Sequence, residues 1–186
     1  MGLRGSAPGS DFEEFASVSW PRLRHAGWLL TGHDQDAEDL AQVALAKTYA
    51  AWDRVRRSDA YAFARRCMVN ANIDRHRRRR LREVSTDVLP DRACVVDLDV
   101  TDPVAQRARL AELLAVLSDR ERRVVVLRYY FDLSESAVAG DLGVSVGTVK
   151  STASRALAKM RVAEVEPGAA SPRSRPFVEG VRHVAR

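Results

Sequence analysis

Between Val144 and Arg161 the chain carries hydroxyls and cations but not one carboxylate. At helical spacing, Thr148, Lys150, Ser151, Ser154 and Arg155 share a face, opposite an apolar stripe of Val146, Val149, Ala153, Ala156, Leu157 and Met160. Such groups can donate to base edges and phosphates, whereas a helix that is merely solvated usually mixes acids with its bases. A second cationic set is denser: Arg75, Arg77, Arg78, Arg79, Arg80 and Arg82 place six guanidiniums within eight residues. They can neutralise several phosphates and make binding fall steeply with salt. Upstream, the basic loop Asp53–Asp59 lies beside Trp52, Tyr61 and Phe63. That mixture suits unpaired DNA, whose bases stack while cations follow the backbone; taken singly, each aromatic is better explained by core packing.

The chemistry of catalysis is missing. His25, His33, His76 and His183 are scattered, with no pair at zinc spacing. Cys67 and Cys94 lie apart, and Cys67 reads as a small buried apolar residue. No serine stands in a nucleophile elbow, and no glycine loop precedes a phosphate-binding helix. Acids crowd at one helix start, where the helix dipole explains them. We therefore expect no enzyme, no metal and no cofactor.

The elements that position these groups read as helices throughout. Ser134 caps a short helix with Ala137, Val138 and Leu142 on its apolar side and Ala139 small enough for close approach. Gly143 leaves that helix in a left-handed conformation, and Ser145 caps the next. Two helices about a glycine turn form the unit that lays its second helix in the major groove. Before it, Ser118-Asp-Arg-Glu121 has capping-box spacing and carries Val124, Val125, Leu127 and Tyr130 forward. A preceding helix from about Pro103 buries Leu110, Leu113, Leu114 and Leu117. In the N-terminal half, Phe12, Phe15, Leu23 and Leu30 mark a helix ending near Thr31-Gly32, with Pro21 a kink or a helix start. Asp34 caps the next helix, which buries Ala37, Leu40, Ala41, Ala44, Thr48 and Trp52. A long helix from Ala60 to Arg80 turns Ala60, Ala64, Cys67, Met68 and Ala71 inward, and Arg65, Arg66 and Asn70 outward.

The 186 residues carry a net charge of +5, but the average hides an asymmetry. Asp11–Leu40 holds seven acids and two arginines; Arg54–Arg82 holds eleven arginines and two acids. An acidic stretch followed by a basic one suggests two partners, one of them a polyanion. The expected architecture is all-α: two small helical domains joined by a flexible linker, the C-terminal one containing a helix-turn-helix. The expected divisions are a disordered N-terminus at 1–10, a first domain at 11–82, an acidic linker at 83–105, a second domain at 106–165, and a disordered basic tail at 166–186. No apolar run approaches a membrane span, the N-terminus lacks a signal-peptide core, and a cytoplasmic location is expected.

In this order and spacing, three stretches resemble the extracytoplasmic-function (ECF) RNA polymerase sigma factors, closest to their SigE-like actinobacterial branch. They are Asp36–Trp52, Val69–Arg80, and Leu127–Ser134 with Val144–Ser151. The resemblance implies a factor that binds core RNA polymerase, directs it to promoters and assists melting. It implies sigma region 2 in the first domain and region 4 in the second. Asp36, Asp39, Leu40 and Gln42 would meet the β′ clamp helices, with the β flap as a further contact. Asp53, Arg54, Val55 and Arg56 would form the loop that holds a flipped minus-ten base. Asn70 would sit at that pocket, and Arg65, Arg66 and Arg75 would support the melted strand. Arg128, Thr148, Lys150, Ser151, Ser154 and Arg155 would read the minus-thirty-five duplex. Thr152 stands where relatives often carry arginine. The family also leaves room for an anti-sigma factor. Two rivals remain: a helix-turn-helix regulator that never joins polymerase, which explains 106–163 only, and a polymerase-binding scaffold without DNA contacts.

Overall fold

A computed structural model describes residues 8–83 and 103–165. All regular structure among them is helical: α1 (Pro8–Thr31), α2 (Asp34–Ala50), a 3₁₀ turn (Arg57–Asp59), α3 (Ala60–Glu83), α4 (Pro103–Ala115), α5 (Asp119–Val125), a π-helical turn (Val126–Tyr130), α6 (Glu135–Leu142) and α7 (Val146–Val165). The expected linker and tail fall mainly at 84–102 and 166–186, outside the described residues.

The N-terminal domain is a three-helix unit made tight by small residues. Ala37, Ala41 and Ala44 are fully buried on α2, so α1 and α3 can close on it from both sides. Gly27 is the point of nearest approach: a Cβ there would meet the Ala37 carbonyl oxygen at 2.7 Å. Leu23, Leu30, Met68 and Trp52 fill the space between the helices. Pro21 lies inside α1 and neither starts nor ends it. The helix begins at Pro8, within the segment expected to be disordered. Gly32 (φ 79°) ends α1, and His33, rather than Asp34, is the N-cap of α2. Asp34 is the first helical residue; its carboxylate instead takes Arg24 at 3.3 Å and Arg107 at 2.6 Å.

The C-terminal domain follows its local signals closely. Ser118 and Glu121 form the reciprocal capping box of α5. The Ser134 hydroxyl accepts from the Ala137 amide, and the Ser145 hydroxyl from the Thr148 amide, each at 3.2 Å. Gly143 adopts φ 63°, ψ 39° between α6 and α7. Leu114, Leu117, Val124, Leu127, Val138, Val149 and Ala156 form the core. Some expected core positions lie further out. Ala137 and Val146 are exposed because each stands in the first turn of its helix, before the stripe meets a neighbour. Leu110, Leu113 and Cys67 are only half-buried. Thr152, by contrast, is buried with the stripe.

Candidate nucleic-acid interface

Helix α7 presents Lys150, Ser151, Ser154 and Arg155 to solvent, in line with the sequence pattern. Within this face the Ser151 hydroxyl donates back to the Thr148 carbonyl, and Arg155 Nε to the Ser151 carbonyl at 3.2 Å. Lys150 Nζ lies 3.7 Å from a Glu135 carboxylate oxygen, an exposed pair that DNA can replace at little cost. Thr148 is half-buried, its hydroxyl 2.8 Å from that of Ser145, so it first serves the helix start. Arg128 donates to the Leu133 carbonyl and so braces the turn into α6. The π-helical turn Val126–Tyr130 is followed, after Phe131, by Asp132 (φ 52°), a left-handed residue that redirects the chain toward Ser134.

An ion pair ties α7 to the start of α5. Lys159 Nζ reaches Glu121 Oε2 at 2.8 Å, where Glu121 also accepts from the amide and hydroxyl of Ser118. Burial alone raises the Glu121 carboxyl, but the Lys159 and Ser118 hydrogen bonds outweigh it and hold the group below its ordinary range.

In the N-terminal domain the candidate residues separate onto different faces. Asp53, Arg54 and Arg56 are exposed on the loop after α2, and Val55 is half-buried. Trp52 anchors that loop from beneath: Arg57 lies over its ring at 3.9 Å and donates to its carbonyl at 2.8 Å. Arg57 was missed as a positioning residue, although its place in the basic loop was visible. Arg66 and Asn70 are exposed one turn apart on α3. Arg75 turns elsewhere; it pairs with Asp36 and lies 3.9 Å from Asp39. It thus belongs with the acidic surface of α2, beside the groove that Asp39, Gln42, Lys47, Asp74 and Arg78 help to line. Leu40 also lines this groove but is buried at 3% exposure, so it supports the surface from below.

Arg65 departs most from expectation. It points inward, not out, and its Nε and Nη2 reach Asp141 Oδ2 of α6 at 3.2 and 2.9 Å. It lies on the stripe of α3 that also holds Tyr61, Asn72 and His76. Each of these meets the C-terminal domain: Tyr61 the Phe131 ring at 6.2 Å, Asn72 the Arg123 guanidinium at 3.5 Å, and His76 the Asp119 carboxylate at 3.0 Å. The His76 hydrogen bond is the main cause holding the Asp119 carboxyl below its usual range. Burial pushes the Tyr61 hydroxyl up to about 12. No group of ligating side chains able to hold a metal occurs among the described residues.

Residues 20–82 match the family model for sigma-70 region 2, and residues 107–160 that for sigma-70 region 4. The chain belongs to the sigma-70 family of RNA polymerase sigma factors, within its ECF class. Among curated relatives, the RNA polymerase sigma-E factor of Streptomyces avermitilis is 43% identical, the match covering 81% of this chain and 83% of that one. The ECF sigma factor SigL of Mycobacterium tuberculosis is 33% identical over 84% of this chain and 88% of its own. Among solved structures, the fold is shared with the sigma factor RpoE of Bartonella quintana, crystallised with its anti-sigma factor NepR. The TM-score is 0.68 at 23% identity, over 82% of this chain and 96% of that one.

Proposed function

We propose that this protein works as a two-handed promoter reader, with residues 11–82 and 106–165 as the two hands, joined by 83–105 and followed by a tail at 166–186. As a sigma factor it binds core RNA polymerase, directs it to specific promoters and assists melting; it is not an enzyme. In our reading, the exposed face of α7 (Lys150, Ser151, Ser154 and Arg155, supported by Thr148 and Arg128) takes the minus-thirty-five duplex. The loop Asp53–Arg56, with Asn70 and Arg66, takes the unpaired minus-ten strand, and Arg65 joins it once the domains part. The groove beside Asp36, Asp39 and Gln42 docks on the β′ clamp helices, with Leu40 and Arg75 shaping it.

The observation that carries this reading is a solvent-facing surface of α7 that holds no carboxylate up to Arg161, in the same chain as a region 2 match. A regulator that never joins polymerase leaves the first 82 residues without a task. Strand separation needs no nucleotide hydrolysis, because binding the open form better than the closed one shifts the equilibrium. No helix among the described residues is long and apolar enough to cross a membrane; our reading of a factor that works on chromosomal DNA assigns it to the cytoplasm. An anti-sigma partner rests on family resemblance alone. The test is run-off transcription with sigma-free core polymerase on a fragmented genomic library. Discrete start sites that appear only with the protein are expected; transcripts identical with and without it refute the reading.

A further inference from the structure

The seam between the two domains combines apolar packing with a set of polar pairs. Arg65 and Asp141 have side chains only 11% and 9% exposed, and the guanidinium also lies 5.7 Å from the centre of the Phe131 ring. Around them stand His76–Asp119, Arg107–Asp34, Asn72–Arg123, and the Tyr130 hydroxyl donating to the Arg22 carbonyl at 3.0 Å. The buried Tyr61 hydroxyl and Asn72 Nδ2 have no partner. A permanent interface tends to be apolar and satisfied, whereas one of ion pairs with orphaned polar groups is suited to part. Two N–H groups of the Arg65 guanidinium converge on one Asp141 oxygen, and the same donors are the ones arginine uses to bind a phosphate.

We propose that Asp141 is an internal stand-in for DNA: it occupies Arg65 in the free chain, so the minus-ten cation is withheld until the two domains separate. The proposal rests on the assignment of Arg65 to the melted strand. The outer face of α7 stays exposed in this closed form, so duplex reading is open while strand capture is shut. The latch therefore biases the free protein against unpaired DNA without blocking promoter search.

The test uses the full-length protein without polymerase. Its radius of gyration is measured by small-angle scattering, and its affinity for a labelled, random-sequence single-stranded oligonucleotide by anisotropy. Asp141→Asn should enlarge the radius and tighten strand binding roughly three- to tenfold, since apparent affinity scales with the open fraction. Its affinity for double-stranded DNA should not change. The swapped pair, Arg65→Asp with Asp141→Arg, should restore the compact radius that Arg65→Asp alone loses, which separates latch loss from misfolding. A wild-type radius and strand affinity in Asp141→Asn overturn the latch. An expanded Asp141→Asn protein whose strand affinity ignores a further Arg65→Ala change overturns the Arg65 assignment instead.

Discussion

Gly27 holds its place by sterics. Its missing Cβ lets α1 pass the Ala37 backbone, an atom that cannot swing aside as a side chain can. Gly27→Ala should destabilise the N-terminal domain by about 1–3 kcal/mol, the usual range for overpacking, read as a lower urea midpoint. Arg155 acts outward. Arg155→Ala should weaken minus-thirty-five duplex binding and, if the contact is to phosphate, lower the salt slope by about 1. An unchanged slope and affinity remove it from the interface. Single residues with local partners were legible in the sequence: Ser134, Gly143, Ser145 and the Ser118–Glu121 box all do what their spacing announces. Arg65 was not, because its partner lies 76 positions away and nothing on its own helix signals a carboxylate. Asp34 was misread by one residue, since an acid in a first turn and an acid at a cap look alike in sequence.

Helix α7 packs through Val149, Ala153 and Ala156, and its Lys159 pairs with Glu121 in the capping box of α5. Glu121 has its carboxyl below the ordinary range in the fold, so folding favours the ionised form. Its stabilising contribution is therefore complete above the unfolded carboxylate pKa and disappears as pH falls through the lower folded value. Acidification should loosen the α5–α7 packing, and Glu121→Gln should flatten the acid limb of the melting-temperature curve. An acid limb as steep as that of the wild type contradicts this account. The periodicity of α7 foretold its buried stripe with two exceptions: Val146, at the helix start, faces water, and Thr152, further along the helix, does not. A hydrophobicity pattern sees composition, whereas the packing of α5 and α6 decides which side of α7 is covered. The π-helical turn at 126–130 left no trace in the sequence, because Val126, Leu127, Tyr129 and Tyr130 continue the helical pattern of α5 around Arg128.

At the scale of the molecule, the proposed polymerase and single-strand surfaces lie on different faces of the N-terminal domain. Asp39 is exposed at the groove on α2, apart from the arginine-bearing face of Arg66 and Asn70. Asp39→Arg should impair co-elution with core polymerase while leaving duplex binding by the isolated protein intact; undiminished co-elution contradicts the assignment. The helical, two-domain plan was legible because turn and cap chemistry punctuates it. The contact between the domains was not, since charged residues that meet across a seam look, in sequence, like any solvated pair. Helix α3 has cations on two sides, Arg66 toward solvent and Arg65 toward α6. The bearing of that arrangement is on timing. Under the proposed latch, a strand is sampled at Arg66 and Asn70 while the chain is shut, and gripped along Arg65 only afterwards. Encounter and commitment become separate events, and a sham promoter can be released between them.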